Sequence, residues 1–341
     1  MISNELVEVD SIEITVVVDN EVDPISPSNN SEVKYVALFQ GLPLDPLQDG
    51  DPRGDASLEL RMDNICCGAH GLSLMITAVK GDKRHTILFD TGPEEAVWEK
   101  NAARTRADIA SIERIHLSHW HRDHSGGMLR AIRLINSEKG PNHSPVIVDV
   151  HPDRPDFRGF SVPGAVVSLE ADPSFDEIQE AGGMLEQNSE AHSILENMFL
   201  VSGHIPRNTK YELGIKGALR YEGQSGTWTA DETISDERLV VCNLKGKGLV
   251  VFTGCSHAGV INASRHAREL VNSAPLHAVV GGFHLADNKP EKLTRSLEDL
   301  VDLDPKVLMP GHCTGYRFKF MIEHALPNTL VPSFAGTKYT L

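Results

Sequence analysis

Basic residues are the scarce class in this chain. Only 32 lysines and arginines stand against 48 aspartates and glutamates, a formal charge of −16 over 341 residues. Phosphate backbones are bound by clustered Lys and Arg, so this balance argues against a nucleic acid as partner. Cysteine is sparse as well. Cys66, Cys67, Cys242, Cys255 and Cys313 are odd in number and lack the spacing of a disulfide framework. No apolar run approaches the roughly 20 residues of a membrane span, and Met1-Ile2-Ser3-Asn4-Glu5 has no basic segment leading into an apolar one, so no export signal is expected. Together these absences predict a reduced, cytoplasmic chain with no membrane as partner. A Gly-rich phosphate loop and a Ser-His-Asp arrangement are missing too, which removes two common catalytic designs. With 40% hydrophobic residues, the chain still has enough apolar side chain to bury a sizeable core.

What the chain has is histidine in a telling place. Ser118-His119-Trp120-His121-Arg122-Asp123-His124-Ser125-Gly126-Gly127 follows the short apolar run Ile115-His116-Leu117. Neutral imidazole is the commonest metal ligand, and zinc accepts nitrogen and carboxylate oxygen together. In an extended segment, residues two apart share a face, so His119 and His121 can grip one ion. If the chain turns helical after His121, Asp123 and His124 swing towards a second. Gly126 and Gly127 remove bulk where backbone must pass close to such a site.

Along the chain, short β-branched strands alternate with amphipathic segments, which indicates an α/β layered fold. Strands are expected at 12–18, 72–79, 85–89, 114–117, 146–150, 198–201, 239–244, 249–252, 277–280 and 306–309. Helices are expected from Pro93 to Arg106, from an N-capping Ser125 to Ile135, over 175–181, 261–272 and 291–300. Residues 21–33 and 41–57 read as loops, 189–197 as loop or helix, and the polar stretch 216–237, with Trp228 as a local packing anchor, as a flap. Late in the chain three successive strands each end in a small residue and then a histidine: Gly254-Cys255-Ser256-His257, Gly281-Gly282-Phe283-His284 and Gly311-His312-Cys313. A core does not require that coincidence, whereas ligands converging at one sheet edge do. Cys313, directly after His312, is expected to point away and pack. His85, His116, His143, His151, His192, His266, His277 and His324 have no such setting and read as surface or packed residues.

The run 119–124 resembles the HxHxDH signature of the metallo-β-lactamase superfamily. His70-Gly71-Leu72-Ser73-Leu74, Leu88-Phe89-Asp90-Thr91-Gly92 and the three histidine loops above are similar to one branch, the 7,8-dihydropterin-6-methyl-4-(β-D-ribofuranosyl)aminobenzene 5′-phosphate synthase-like metal-dependent hydrolases. The resemblance runs from about residue 12 to the C-terminus. It implies a four-layer αββα sandwich with the metal site at one edge of two sheets. It also implies a single domain over 1–341 with halves at about 12–205 and 238–341 and a polar insertion at about 216–237. The implied centre holds two divalent ions, most simply Zn2+, with Mn2+ or Fe2+ as alternatives. His119, His121 and His257 would take one ion, and Asp123, His124 and His312 the other. His204 competes with His257, and Cys255 falls where many superfamily members carry a bridging Asp. Asp90 is expected beneath the site, orienting it, while His70 and His284 would touch substrate or support the ligands.

The function implied is a metallohydrolase whose metal-bridging hydroxide, assisted by Asp123, opens a small cyclic amide or ester. A dihydropterin-aminobenzene-phosphate synthase-like enzyme, a phosphodiesterase and a non-catalytic metal-dependent sensor are the alternatives. The expected partner is a small molecule, and the sequence leaves monomer and homodimer both open.

Overall fold

The computed structural model describes residues 6–35, 42–48, 50–287 and 289–341. The N-terminal segment read above for an export signal lies outside these residues, as do positions 41 and 49 of the expected loop. Two sheets form the centre. One has the strand order Met184–Gln187, Ile147–Val150, Ile112–His116, Lys83–Phe89, Ser73–Lys80, Ser11–Val18, Lys338–Thr340, Lys34–Tyr35. The other runs His192–Ile194, Phe199–Val201, Val240–Leu244, Gly248–Thr253, Leu276–Gly282, Val307–Gly311, with Glu8–Val9 also paired to Val240–Leu244.

Side-chain parity explains the layering. In Ser11–Val18, Ile12, Ile14 and Val16 face the other sheet, because residues two apart share a face. Gly248–Thr253 is buried along its whole length: Val250 and Phe252 enter the core between the sheets, while Leu249 and Val251 enter a second core beneath helices. A strand covered on both faces reads as a continuous apolar run, as this one does. Helix Met128–Lys139 presents Met128, Ala131, Ile132 and Ile135, a helical stripe, to the outer face of the first sheet. Helix Val260–Leu270 covers the second sheet with Val260, Ile261, Ala263 and Ala267. Three cores separating four layers make an αββα sandwich. Among the described residues, no helix is long and apolar enough to cross a membrane.

Three expectations change. Ser125 does not cap the helix that follows: a short turn Arg122–Ser125 comes first, Gly127 precedes the helix, and the Ser125 hydroxyl donates to buried Asp172. Part of 189–197 is strand, His192–Ile194. The stretch 216–237 contains strands Ala218–Glu222 and Thr227–Ala230, which join Phe157–Val162 and Ala165–Ser168 in a small antiparallel sheet. Trp228 there packs on Tyr221, ring centroids 5.3 Å apart. Helix Tyr316–Ala325 and strand Lys338–Thr340 were not anticipated.

Candidate metal centre

Strands Lys83–Phe89 and Ile112–His116 run parallel in one sheet, and Gly248–Thr253, Leu276–Gly282 and Val307–Gly311 run parallel in the other. Their carboxyl ends release Asp90, His119, Cys255, His284 and His312 at one edge of the sandwich. The loops crowd there. A Cβ at Gly126 would run into the Pro93 carbonyl, and one at Gly254 into the Ser118 hydroxyl, so both positions need glycine.

Two donor sets form. In the first, His119 Nε2, His121 Nδ1 and His257 Nε2 make a triangle with sides of 2.9, 3.1 and 3.1 Å. In the second, Asp123 Oδ2 lies 3.2 Å from His312 Nε2 and 3.8 Å from His124 Nε2. Cys255 Sγ is 3.1 Å from both His124 Nε2 and His312 Nε2. It also belongs to a compact group with His119 and His257, so one sulfur borders both sets.

The outer contacts fix which ring nitrogens face inward. The Ser118 hydroxyl donates to Asp90 Oδ2 and therefore accepts from His119 Nδ1 at 2.9 Å. His124 Nδ1 donates to Asp90 Oδ2 at 2.6 Å, and His312 Nδ1 to Asn20 Oδ1 at 3.0 Å. Each of these rings, when neutral, then turns a bare Nε2 inward. Lone pairs aimed at one another repel unless a cation sits among them. Ligand nitrogens about 2.0–2.1 Å from a zinc ion would stand roughly 3 Å apart, the spacing of the first triangle. The residues fit a divalent metal.

Electrostatics point the same way. Burial, and then neighbouring imidazoles, hold His119 well below its ordinary pKa, so it is neutral. Burial followed by nearby Arg158 brings His121 down to about 3. Burial also disfavours charge on His124, yet Asp90 and Asp123 outweigh it and push that pKa up to about 9. Burial would raise Asp123, but His124 and His312 hold it well below the carboxylate range. The acidic side of the site is thus built to stabilise positive charge.

Supports come from a segment that reads as unremarkable in the sequence. Arg158 pairs with Asp231 and Asp236, and Asp236 accepts the Trp120 backbone N–H at 2.7 Å. Glu237 accepts the N–H groups of His257 and Ala258, both at 2.7 Å. Arg238, fully buried, donates to Asp149 Oδ1 at 2.9 Å and to the Leu117 carbonyl at 3.0 Å. Three consecutive charged residues therefore hold the two ligand loops. Arg238→Ala leaves the buried Asp149 carboxylate with His192 at 2.8 Å and Asn188 at 3.2 Å but without its buried cation, and the expected cost is about 3 kcal/mol, read from the denaturant midpoint.

Asp149 also borders His116, a fully buried ring stacked on Phe89 at 5.6 Å. Burial, then Arg238, lowers His116 to about 4 from an ordinary value near 6.5. The unfolded chain thus binds the extra proton first, and stability falls as pH drops through that interval. In metal-free protein, wild type should lose about 3 kcal/mol more than His116→Phe between pH 7 and pH 4. Parallel midpoint–pH curves for the two would contradict this.

No family model matches the chain. Among curated proteins it is 26% identical over 264 residues to the 7,8-dihydropterin-6-methyl-4-(β-D-ribofuranosyl)-aminobenzene-5′-phosphate synthase of Methanocaldococcus jannaschii, covering 74% of this chain and 83% of that one. It is 30% identical over 250 residues to a second protein of that organism, MJ0448, covering 73% and 85%. Among solved structures it resembles Tm1679, described as a metal-dependent hydrolase of the β-lactamase superfamily, with TM-score 0.67, 22% identity and coverage of 96% and 98%. The chain belongs to one family with MJ0448 and has the fold of the metallo-β-lactamases.

That fold implies a divalent ion at the His/Cys/Asp cluster. The structure brings together His119, His121, Asp123, His124, Cys255, His257 and His312, with Asp90 beneath His124. His70 stands at the rim, its Nε2 3.6 Å from Asp123 Oδ2, and the His284 ring lies 4.6 Å from that of His257. His204 is corrected: it is exposed and belongs to none of the donor groups, because its loop stands apart from the three strand ends that converge. Cys313 is corrected too, since its Sγ faces Cys255 and His284. Asp19, which accepts the His312 backbone N–H at 3.0 Å, was missed, as were Asn20, Arg158, Asp236, Glu237 and Arg238. Only the charged run before an apolar strand hinted at any of them.

Proposed function

We propose that this chain is a two-zinc hydrolase that opens a small cyclic amide or ester. The observation that carries the reading is the pair of donor sets bordering one sulfur, Cys255. His119, His121 and His257 would hold one ion, and Asp123, His124 and His312 the other. Cys255 would serve as thiolate between them. Imidazole, thiolate and carboxylate together suit zinc. Bound there, the ions would supply Lewis acidity and a water made acidic near neutral pH. Asp123, its side chain 25% exposed, is placed to orient a water and accept its proton. His70, beside Asp123, and His284, beside His257, would position the substrate.

The cations near the centre favour an uncharged carbonyl over a phosphate ester. Arg122 is engaged by the Ala171 carbonyl and Glu170, Arg158 by two aspartates, and Arg207 by the Thr233 carbonyl. A second reading, a dihydropterin-aminobenzene-phosphate synthase-like reaction, is favoured by the relative matched over 83% of its length. The net charge of −16 supports a small-molecule partner over a polyanion. Zinc-loaded protein assayed on lactones, lactams, a phosphodiester and the pterin condensation separates the readings. Turnover of a lactone or lactam supports the first, and turnover of the pterin pair alone replaces it with the second.

A further inference from the structure

A third convergence lies beside the two donor sets. Cys255 Sγ, Cys313 Sγ and a ring nitrogen of His284 are within 4.8 Å of one another. They come from the ends of the three adjacent parallel strands Gly248–Thr253, Leu276–Gly282 and Val307–Gly311. The fit is close: Cys313 Sγ sits 3.4 Å from the Cys255 carbonyl oxygen, and a Cβ at Gly282 would lie 2.7 Å from Cys313 Sγ. His284 and His312 each hold φ at 47°, in the left-handed region. Strained non-glycine backbone of this kind persists where the surroundings over-determine it, and it gathers at functional sites. His284 Nδ1 is buried with no hydrogen-bond partner among the described residues. An orphaned buried nitrogen is costly unless something completes it.

The chemistry of this trio differs from that of the centre. Two thiols and one imidazole, without a carboxylate, form a soft donor set that selects thiophilic cations. We propose that Cys255, Cys313 and His284 constitute a third metal site, taking one thiophilic d10 cation such as Cd(II) or Cu(I). Binding releases the two thiol protons to solvent and leaves both sulfurs as thiolates. Because Cys255 also borders the two other donor sets, filling the sulfur site withdraws that sulfur from them. Thiophilic ions would then inhibit from a position that borrows one residue of the centre. The site does not depend on the hydrolase reading, and each can fail alone.

The test is a Cd(II) titration of metal-free, reduced full-length protein, followed by the ultraviolet thiolate-to-cadmium charge-transfer band. Wild type should show two thiolates bound at saturation. Cys313→Ser should show about half that band, and His119→Ala/His121→Ala should keep all of it. His284→Ala, which retains both sulfurs, should weaken Cd(II) affinity about tenfold or more; that readout stands even if Cys313→Ser misfolds. A band in Cys313→Ser equal to wild type, or an unchanged affinity in His284→Ala, overturns the proposal. Loss of the band in the double histidine variant also overturns it, while leaving the hydrolase reading intact.

Discussion

Replacing Asp123 with alanine is expected to leave one tightly held ion where the proposed centre would hold two, and to lower turnover by about 10³-fold or more. Two losses combine. The carboxylate is 3.2 Å from His312 Nε2 and 3.8 Å from His124 Nε2, so its removal strips the only anionic oxygen from that donor set. It also removes the acceptor placed to take a proton from water, a role worth about 10²–10⁴ by itself. The backbone should survive, because the Asp123 side chain is partly exposed and its carbonyl, which receives the Leu72 N–H, is retained. Metal content by mass spectrometry alongside turnover of a lactone decides the matter. Two ions and undiminished turnover in Asp123→Ala would remove Asp123 from the site.

Asp90→Asn tests the layer beneath. Asp90 accepts the Ser118 N–H at 2.7 Å, the Ser118 hydroxyl at 2.8 Å and His124 Nδ1 at 2.6 Å, all in a fully buried position. Its φ of 59° is one that asparagine tolerates, so backbone strain is not the variable. An amide, however, must present N–H₂ to at least one of these donors. His124 then loses the partner that fixes its tautomer, and the affinity for the ion near His124 should fall about 10–100-fold. Stability should drop by about 1–3 kcal/mol for the unsatisfied buried donor. Excess metal should restore turnover if Asp90 acts through His124. A variant with wild-type affinity, or one that no concentration of metal rescues, would assign Asp90 a purely structural part.

The sequence makes local chemistry plain and distant chemistry obscure. His119, His121, Asp123 and His124 are legible because a metal loop packs its ligands into a few consecutive residues. His257, His284 and His312 are legible because each follows a strand that stops in glycine or a glycine-containing loop. The strands Ile12–Val18 and Leu249–Phe252 announce themselves by parity and by continuous apolar character. The supports do not. Arg158 meets Asp236 across 78 residues, Arg238 meets Asp149 across 89, and His312 meets Asn20 across 292. A charged residue before a strand ordinarily faces water, and no local pattern shows that its partner is buried with it. His204 failed for the opposite reason: a glycine and a histidine after a strand matched the local signal, while the fold carries that loop elsewhere. Cys313 failed because alternation along a strand does not continue through the turn at 312–314, where the chain is 3-10 helical.

Anomalous diffraction at the zinc edge, on crystals of zinc-loaded protein, locates the ions themselves. Two peaks are expected, one inside the triangle of His119, His121 and His257 and one among Asp123, His124 and His312, with Cys255 Sγ bordering both. A single peak, or peaks remote from these seven side chains, would contradict the proposed centre.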